Sequence, residues 1–212
     1  AQSQNNGTAA YGGGIHVAAS GTTMIRNCLV KNNVLYTYFC QSNWWGNGMY
    51  LASGSTAVRN CTVVTNRSDS WVAGTRPNRG IHMAGGTLDM RDSIVWSHND
   101  DLVDVPSGSF RYCDIEDGDN NGTNGCVSVD PKFVDTTYYH LKAVAGHYTG
   151  GYFSGGTWVY GNEDSPLLDR GDASSDWARE PEPNGHRVNI GAYGNSPVAS
   201  KHAPPGAIFH LR

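Results

Sequence analysis

Flat aromatic side chains crowd two short stretches of this chain. Tyr36, Tyr38, Trp44 and Trp45 fall within residues 34–47, and Trp71 falls within residues 67–79. Asn43, Asp69, Arg76 and Arg79 are interleaved with them. Tyrosine and tryptophan combine an apolar face with a polar handle, which suits a half-wet surface. The axial C–H face of a sugar ring stacks on such a ring while amide, carboxylate and guanidinium groups bond its hydroxyls. The pattern therefore points to carbohydrate contact, with the five aromatics stacking and the four polar residues bonding. The competing reading is a miniature core in which the rings fold back and hold the loops down. Tyr148, Tyr152, Trp158 and Tyr160 form a third aromatic stretch, where packing over the end of the fold competes with sugar contact.

Other constellations are thinner. Asp117-Gly118-Asp119-Asn120-Asn121-Gly122 fits the opening of a calcium loop, with Asp117, Asp119 and Asn121 as ligands. The twelfth position is Ser128, where such loops want a bidentate glutamate. Calcium is thus an optional ligand, and no cofactor is required. Asp100, Asp101 and Asp104 are the nearest approach to a catalytic cluster, with Arg91 and Arg111 on neighbouring repeats. They would serve a glycoside hydrolase or polysaccharide lyase as acid and base; otherwise they form a solvated corner. No Ser-His-Asp motif or phosphate loop is present. The five cysteines show no zinc-ligand spacing. Cys113 and Cys126 could bridge, or stay free as small apolar fillers.

The elements that position these groups are read from an internal repeat. Gly14-Ile15-His16-Val17 followed by Met24-Ile25-Arg26-Asn27-Cys28-Leu29-Val30 recurs as Gly48-Met49-Tyr50-Leu51 with Ala57-Val58-Arg59-Asn60-Cys61-Thr62-Val63. It recurs again as Gly80-Ile81-His82-Met83 with Asp89-Met90-Arg91-Asp92-Ser93-Ile94-Val95, and in degenerate form as Ser109-Phe110-Arg111-Tyr112-Cys113-Asp114-Ile115. The leading glycines stand 34 and 32 residues apart, a period that signals a repeat architecture. Local alternation of apolar residues means strands, and strands at equal offsets in successive repeats must run parallel. The expected fold is all-β: a right-handed parallel β-helix of about four coils, with long loops on one face and an irregular C-terminal cap. Ile25, Val58 and Met90 should form one inward ladder, and Cys28, Cys61 and Ser93 another. Asn27, Asn60 and Asp92 should mark a corner. His16, Tyr50 and His82 share an outward position, a second candidate platform for a glycan. The insertions 34–47 and 67–79 should leave neighbouring coils at the same corner.

After residue 117 the pattern changes. Asp130-Pro131-Lys132-Phe133-Val134-Asp135, Tyr139-His140-Leu141, Ser165-Pro166-Leu167-Leu168-Asp169-Arg170-Gly171-Asp172 and Asn189-Ile190-Gly191-Ala192-Tyr193-Gly194 follow in order. This series resembles the closing segment of secreted bacterial right-handed parallel β-helix proteins. Within that group the chain looks most like the parallel β-helix carbohydrate-binding modules that accompany xylan-degrading enzymes. The resemblance implies an extracellular module linked to a catalytic domain, with a plant cell-wall polysaccharide such as xylan as partner. Such folds also host lyases, hydrolases and adhesins, so function rests on the site. On this reading residues 1–200 form one module, coils to about 117 and closing segment from 118, and residues 201–212 a linker or tail.

Composition agrees. There are 27 glycines, and the 6 Trp and 11 Tyr outnumber the 5 Phe. The formal net charge of -4, with scattered basic residues, gives no reason to expect a nucleic-acid partner. No apolar run is long enough to span a membrane.

Overall fold

A computed structural model describes residues 2–5, 9–37, 43–70, 78–106 and 109–203. It is all-β, with no α-helix among the described residues. Three four-stranded parallel sheets carry the repeat. Sheet one holds β3 (Ile15–Val17), β8 (Met49–Leu51), β12 (Arg79–Met83) and β15 (Asp100–Val103). Sheet two holds β4 (Thr22–Arg26), β9 (Ser55–Arg59), β13 (Thr87–Arg91) and β16 (Phe110–Arg111). Sheet three holds β5 (Leu29–Lys31), β10 (Thr62–Val64), β14 (Ile94–Trp96) and β17 (Asp114–Ile115). Each repeat gives one strand to each sheet, and successive repeats stack in register, an arrangement compatible with a parallel β-helix.

The stacking turns the repeated residues into ladders. Ile25 pairs with Val58, Val58 with Met90 and Met90 with Phe110, and all four side chains are buried. Gly48 leads its repeat because a Cβ there would lie 2.5 Å from Val63 Cγ1 and 2.7 Å from the Gly80 carbonyl. The corner between sheets two and three is left-handed in every repeat: Asn27, Asn60, Asp92 and Tyr112 have φ of 48°, 47°, 52° and 48°. Asparagine and aspartate tolerate that region best among residues with a side chain.

The insertions are not wholly loop. Residues 34–37 form β6 (Val34–Thr37), which pairs in parallel with β1 (Gln2–Asn5) on one side and β11 (Arg67–Ser70) on the other. Farther on, β7 (Asn43–Trp45) pairs with β2 (Ala9–Tyr11). Leu35 is wholly buried, so the start of the first insertion belongs to the core. The expectation that both insertions leave at one corner holds, since Val34 pairs with Arg67.

The closing segment covers the end of the stack only at its start, where Asn124–Val127 lie on the last rung, Val127 bridging in parallel to Asp114 and Cys126 joining the core; the remainder turns away. It lies along the outer flank of sheet three, where Leu141, Ala143, Leu167, Leu168 and Ile190 pack on Ile94, and Ala192, Tyr193 and Val198 pack on Leu29. The physical reason is that β10 buries all three of its residues, so that sheet has apolar side chains on both faces. Side-chain bonds lash the flank. Asn27 Nδ2 donates to the Ala192 and Gly194 carbonyls at 2.9 and 2.8 Å, the Ala192 amide donates to Thr62 Oγ1 at 3.0 Å, and the Asp172 amide donates to Asp92 Oδ1 at 2.6 Å. The short hairpin of β18 (His147–Thr149) and β19 (Thr157–Val159) completes the segment.

The cysteines line one inward column. Cys61 and Cys113 are fully buried, and the Cys61 amide donates to Ser93 Oγ at 3.0 Å. Cys28 differs from expectation: it is only half-buried, because it precedes β5, which is an edge strand among the described residues. Cys28, Cys61, Cys113 and Cys126 are all free thiols here, and Cys40 lies outside the described residues. A maleimide added to the native protein should therefore modify Cys28 while sparing Cys61 and Cys113, as peptide mass mapping would show. Rapid modification of Cys61 would contradict the column.

Candidate functional site: an aromatic face on sheet one

Alternation in sheet one sends Ile15, Val17, Met49 and Leu51 toward the core, which turns His16, Tyr50 and His82 outward. The three pair in register, His16 with Tyr50 and Tyr50 with His82. Their rings touch: Tyr50 and His82 stack at 5.2 Å and 10°, and His16 meets Tyr50 edge-on at 5.1 Å. A second column stands beside the first. Tyr11 and Trp45 are paired residues of β2 and β7, and each leans onto the sheet. The Tyr11 ring lies 4.7 Å from Tyr50, and the Trp45 ring 4.4 Å from His82. Arg79 places its guanidinium 4.3 Å from the centre of the Trp45 ring, a cation–π contact.

The face grades from wet to dry. His16 is exposed, Tyr11 keeps 42% of its surface in solvent, and Tyr50 and Trp45 are half-buried. His82 is 5% exposed beneath Trp45. Burial, opposed by Asp104, drives the His82 pKa below its ordinary value, so the ring is neutral at pH 7. Its Nδ1 has no hydrogen-bond partner among the described residues and lies 3.8 Å from Asp104 Oδ2. Burial likewise raises the Tyr50 phenol. Asp100, paired with Arg79 across β15 and β12, is raised mainly by burial, with Arg79 pulling the other way. The site is thus a row of rings with a guanidinium and carboxylates at one end.

The structure brings together only part of the expected set. Trp45 and Arg79 are in contact, and Asp69 is exposed in β11 opposite Tyr36 in β6. Tyr38, Trp71 and Arg76 lie outside the described residues, and for Tyr36, Asn43 and Trp44 the backbone alone is described. In the third aromatic stretch Tyr148 is buried and accepts the Gly156 amide at 2.7 Å, whereas Tyr152, Trp158 and Tyr160 are exposed. Sequence reasoning overlooked Tyr11. The signal was present: Tyr11 precedes Gly14 by the same three residues that separate Trp45 from Gly48, so the repeat begins earlier than Gly14.

The acidic candidates diverge. Asp101 points inward, its carboxylate 2.9 Å from His98 Nδ1 with both side chains fully buried. That pair caps an internal polar column in which His98 Nε2 meets the Asn66 amide at 3.3 Å and Asn66 Oδ1 accepts from Asn33 Nδ2 at 2.8 Å. Asp100 and Asp104 stay at the surface, and Arg91 is engaged by Asp89 and Asp172 instead. In the 117–122 loop, Asp117 accepts the Asp101 amide at 3.0 Å and the Asp119 amide at 3.2 Å. Among the described residues no three His, Cys, Asp or Glu side chains converge as a metal site.

The fold and face define a class: an all-β stack of parallel sheets with an aromatic strip on one flank. No family model, curated protein or solved structure matches the chain.

Proposed function

We propose that the chain is a right-handed parallel β-helix of about four coils acting as a secreted, non-catalytic carbohydrate-binding module, joined to a catalytic domain in its full-length protein. Its ligand on this reading is a β-linked plant cell-wall polysaccharide, xylan foremost. The observation that carries the proposal is the ring column Tyr11, His16, Tyr50, Trp45 and His82. Rings held in contact by a rigid ladder are already ordered, so little conformational entropy is lost when a glycan lies across them. Exposed tyrosine and histidine beside half-buried tryptophan give sugar faces a surface, and Arg79 with its register partner Asp100 stands at the end of the row to bond hydroxyls; Asp69 stays in the proposed set as an exposed carboxylate of the second insertion. The insertion aromatics Tyr36, Tyr38, Trp44 and Trp71 belong to the proposed binding set on the chemistry of their rings alone. The reading needs no cofactor, and calcium in the 117–122 loop is compatible with it.

Tyr11→Ala is the discriminating substitution, because Tyr11 is the most solvent-exposed of the rings with a phenol or indole. It should weaken xylan binding about tenfold, equivalent to about 1.4 kcal/mol, with an unchanged melting temperature. Affinity electrophoresis in xylan-containing gels, with calorimetry on a soluble xylo-oligosaccharide, measures both quantities. Full affinity in the Tyr11→Ala and Tyr50→Ala proteins would remove the ring column from the site. Release of reducing or unsaturated ends by the unsubstituted protein would overturn the non-catalytic assignment.

A further inference from the structure

Four arginines stand one above another on the outward side of sheet two. Arg26 pairs in register with Arg59, Arg59 with Arg91, and Arg91 with Arg111. Rungs lie about 4.8 Å apart, a spacing at which like charges repel. The inner two are compensated. Arg59 and Arg91 both donate to the Asp89 carboxylate, and Arg91 Nη1 also lies 3.6 Å from Asp172. The outer two, Arg26 and Arg111, are exposed and close no ion pair among the described residues.

The closing segment converts this ladder into a trough. Residues 172–176 run beside sheet two and leave two recesses, of about 260 and 350 Å³. The first is lined by Arg26 and Arg59 with the amides of Asn27, Asn60 and Asn195, and the second by Arg91 and Arg111 with Tyr112 and Asn124. Each recess sets two arginines against one carboxylate of its own wall, Asp176 in the first and Asp172 in the second. With Asp89, which Arg59 and Arg91 share, the trough sets four arginines against three carboxylates, a small positive excess on a chain of formal net charge -4. The recesses repeat after two rungs, roughly 10 Å. In an extended 1,4-linked polysaccharide, alternate sugars present the same substituent on the same side, so the carboxylates of a uronate polymer recur at disaccharide spacing.

We propose that this trough binds a polyuronate, each recess holding one sugar carboxylate between its two arginines, with the uncompensated Arg26 in the first and Arg111 in the second presenting the two-point geometry that a guanidinium allows. Asn27 Oδ1 supplies an acceptor for hydroxyls beside it, since Asn27 Nδ2 and Asn60 Nδ2 are held by backbone carbonyls, and the exposed Asn124 amide supplies a donor. The trough is on sheet two and the aromatic face on sheet one, so this inference goes beyond the xylan reading and stands without it.

Affinity electrophoresis in gels containing polygalacturonate tests the proposal, with neutral xylan gels run in parallel. The unsubstituted protein should be retarded by polygalacturonate, less so as salt is raised. The double variant Arg26→Ala, Arg111→Ala should lose at least tenfold in affinity while its melting temperature and its behaviour in neutral xylan are unchanged. Lysine at both positions should restore only part of the retardation, because an ammonium lacks the planar fork. An unsubstituted protein that polygalacturonate does not retard, or a double variant retarded as strongly as its parent, would overturn the site. Equal retardation by dextran sulfate and by duplex DNA would overturn the uronate assignment in favour of a general polyanion surface. Because neutral xylan reports on sheet one alone, failure of either site is read separately.

Discussion

Asp114→Asn is expected to raise stability at pH 8 by up to about 4 kcal/mol, and at pH 5 by only about 2 kcal/mol. Asp114 is fully buried at the last full rung. Its Oδ1 accepts the Val129 amide at 3.0 Å, but Oδ2 has no partner among the described residues. Burial raises its pKa to about 7. The folded state therefore holds a proton that the unfolded chain releases near the ordinary aspartate value of 3.8. The stability that the protonated carboxyl contributes is full below that value and is lost as pH rises through about 7. Asparagine keeps the acceptor for Val129 and cannot ionise, so the loss disappears. Glu180 behaves alike: buried, with Oε1 accepting the Asn189 and Asn195 amides at 2.9 and 2.8 Å, and raised to about 7 by burial. The single variant should thus keep part of the decline toward pH 8, and adding Glu180→Gln should flatten it further. Urea unfolding at pH 5 and pH 8 measures the difference. Parallel pH profiles for parent and variant would show that Asp114 does not hold its proton when folded.

Phe110→Ala should cost about 3–5 kcal/mol, the usual range for emptying a buried aromatic position. Phe110 is the fourth member of the Ile25–Val58–Met90 column and is completely buried. In a stack each rung rests on its neighbours, so the cavity weakens the join between the last full rung and Met90. Met24 provides the internal control. It neighbours Ile25 on β4 but faces outward, with 52% of its surface exposed, and Met24→Ala should change stability by less than about 0.5 kcal/mol. Chemical denaturation of the two variants side by side is sufficient. Equal losses would mean that the inward and outward sets have been exchanged.

The inward columns were legible because the chemistry repeats: Ile25, Val58 and Met90 are all apolar, and Asn27, Asn60 and Asp92 all tolerate a left-handed corner. The aromatic row was half legible. His16, Tyr50 and His82 follow from alternation, whereas no alternation in the sequence marks Trp45 or Tyr11 as strand residues. Both belong to strands β7 and β2, each three residues long, too short to show a period. The strand β11 was hidden for another reason. Its residues Arg67-Ser68-Asp69-Ser70 have no apolar alternation, and only pairing with β6 makes them extended. Asp101 was grouped with Asp100 and Asp104 by proximity in sequence, yet adjacent strand residues face opposite sides. Its inward place depends on His98, a partner that no motif announces.

The flank seam imposes an order of events on the chain. Rungs can stack as they are made, each resting on the one before. Asn27, however, finds its two carbonyl acceptors 165 and 167 positions downstream. Leu29, Thr62 and Ile94 therefore stay wet on one side until Gly191–Gly194 exists and swings back across the repeats already laid down. The earliest-made turn of the molecule is the last to be sealed, and completion is reported from one end of the polypeptide to the other.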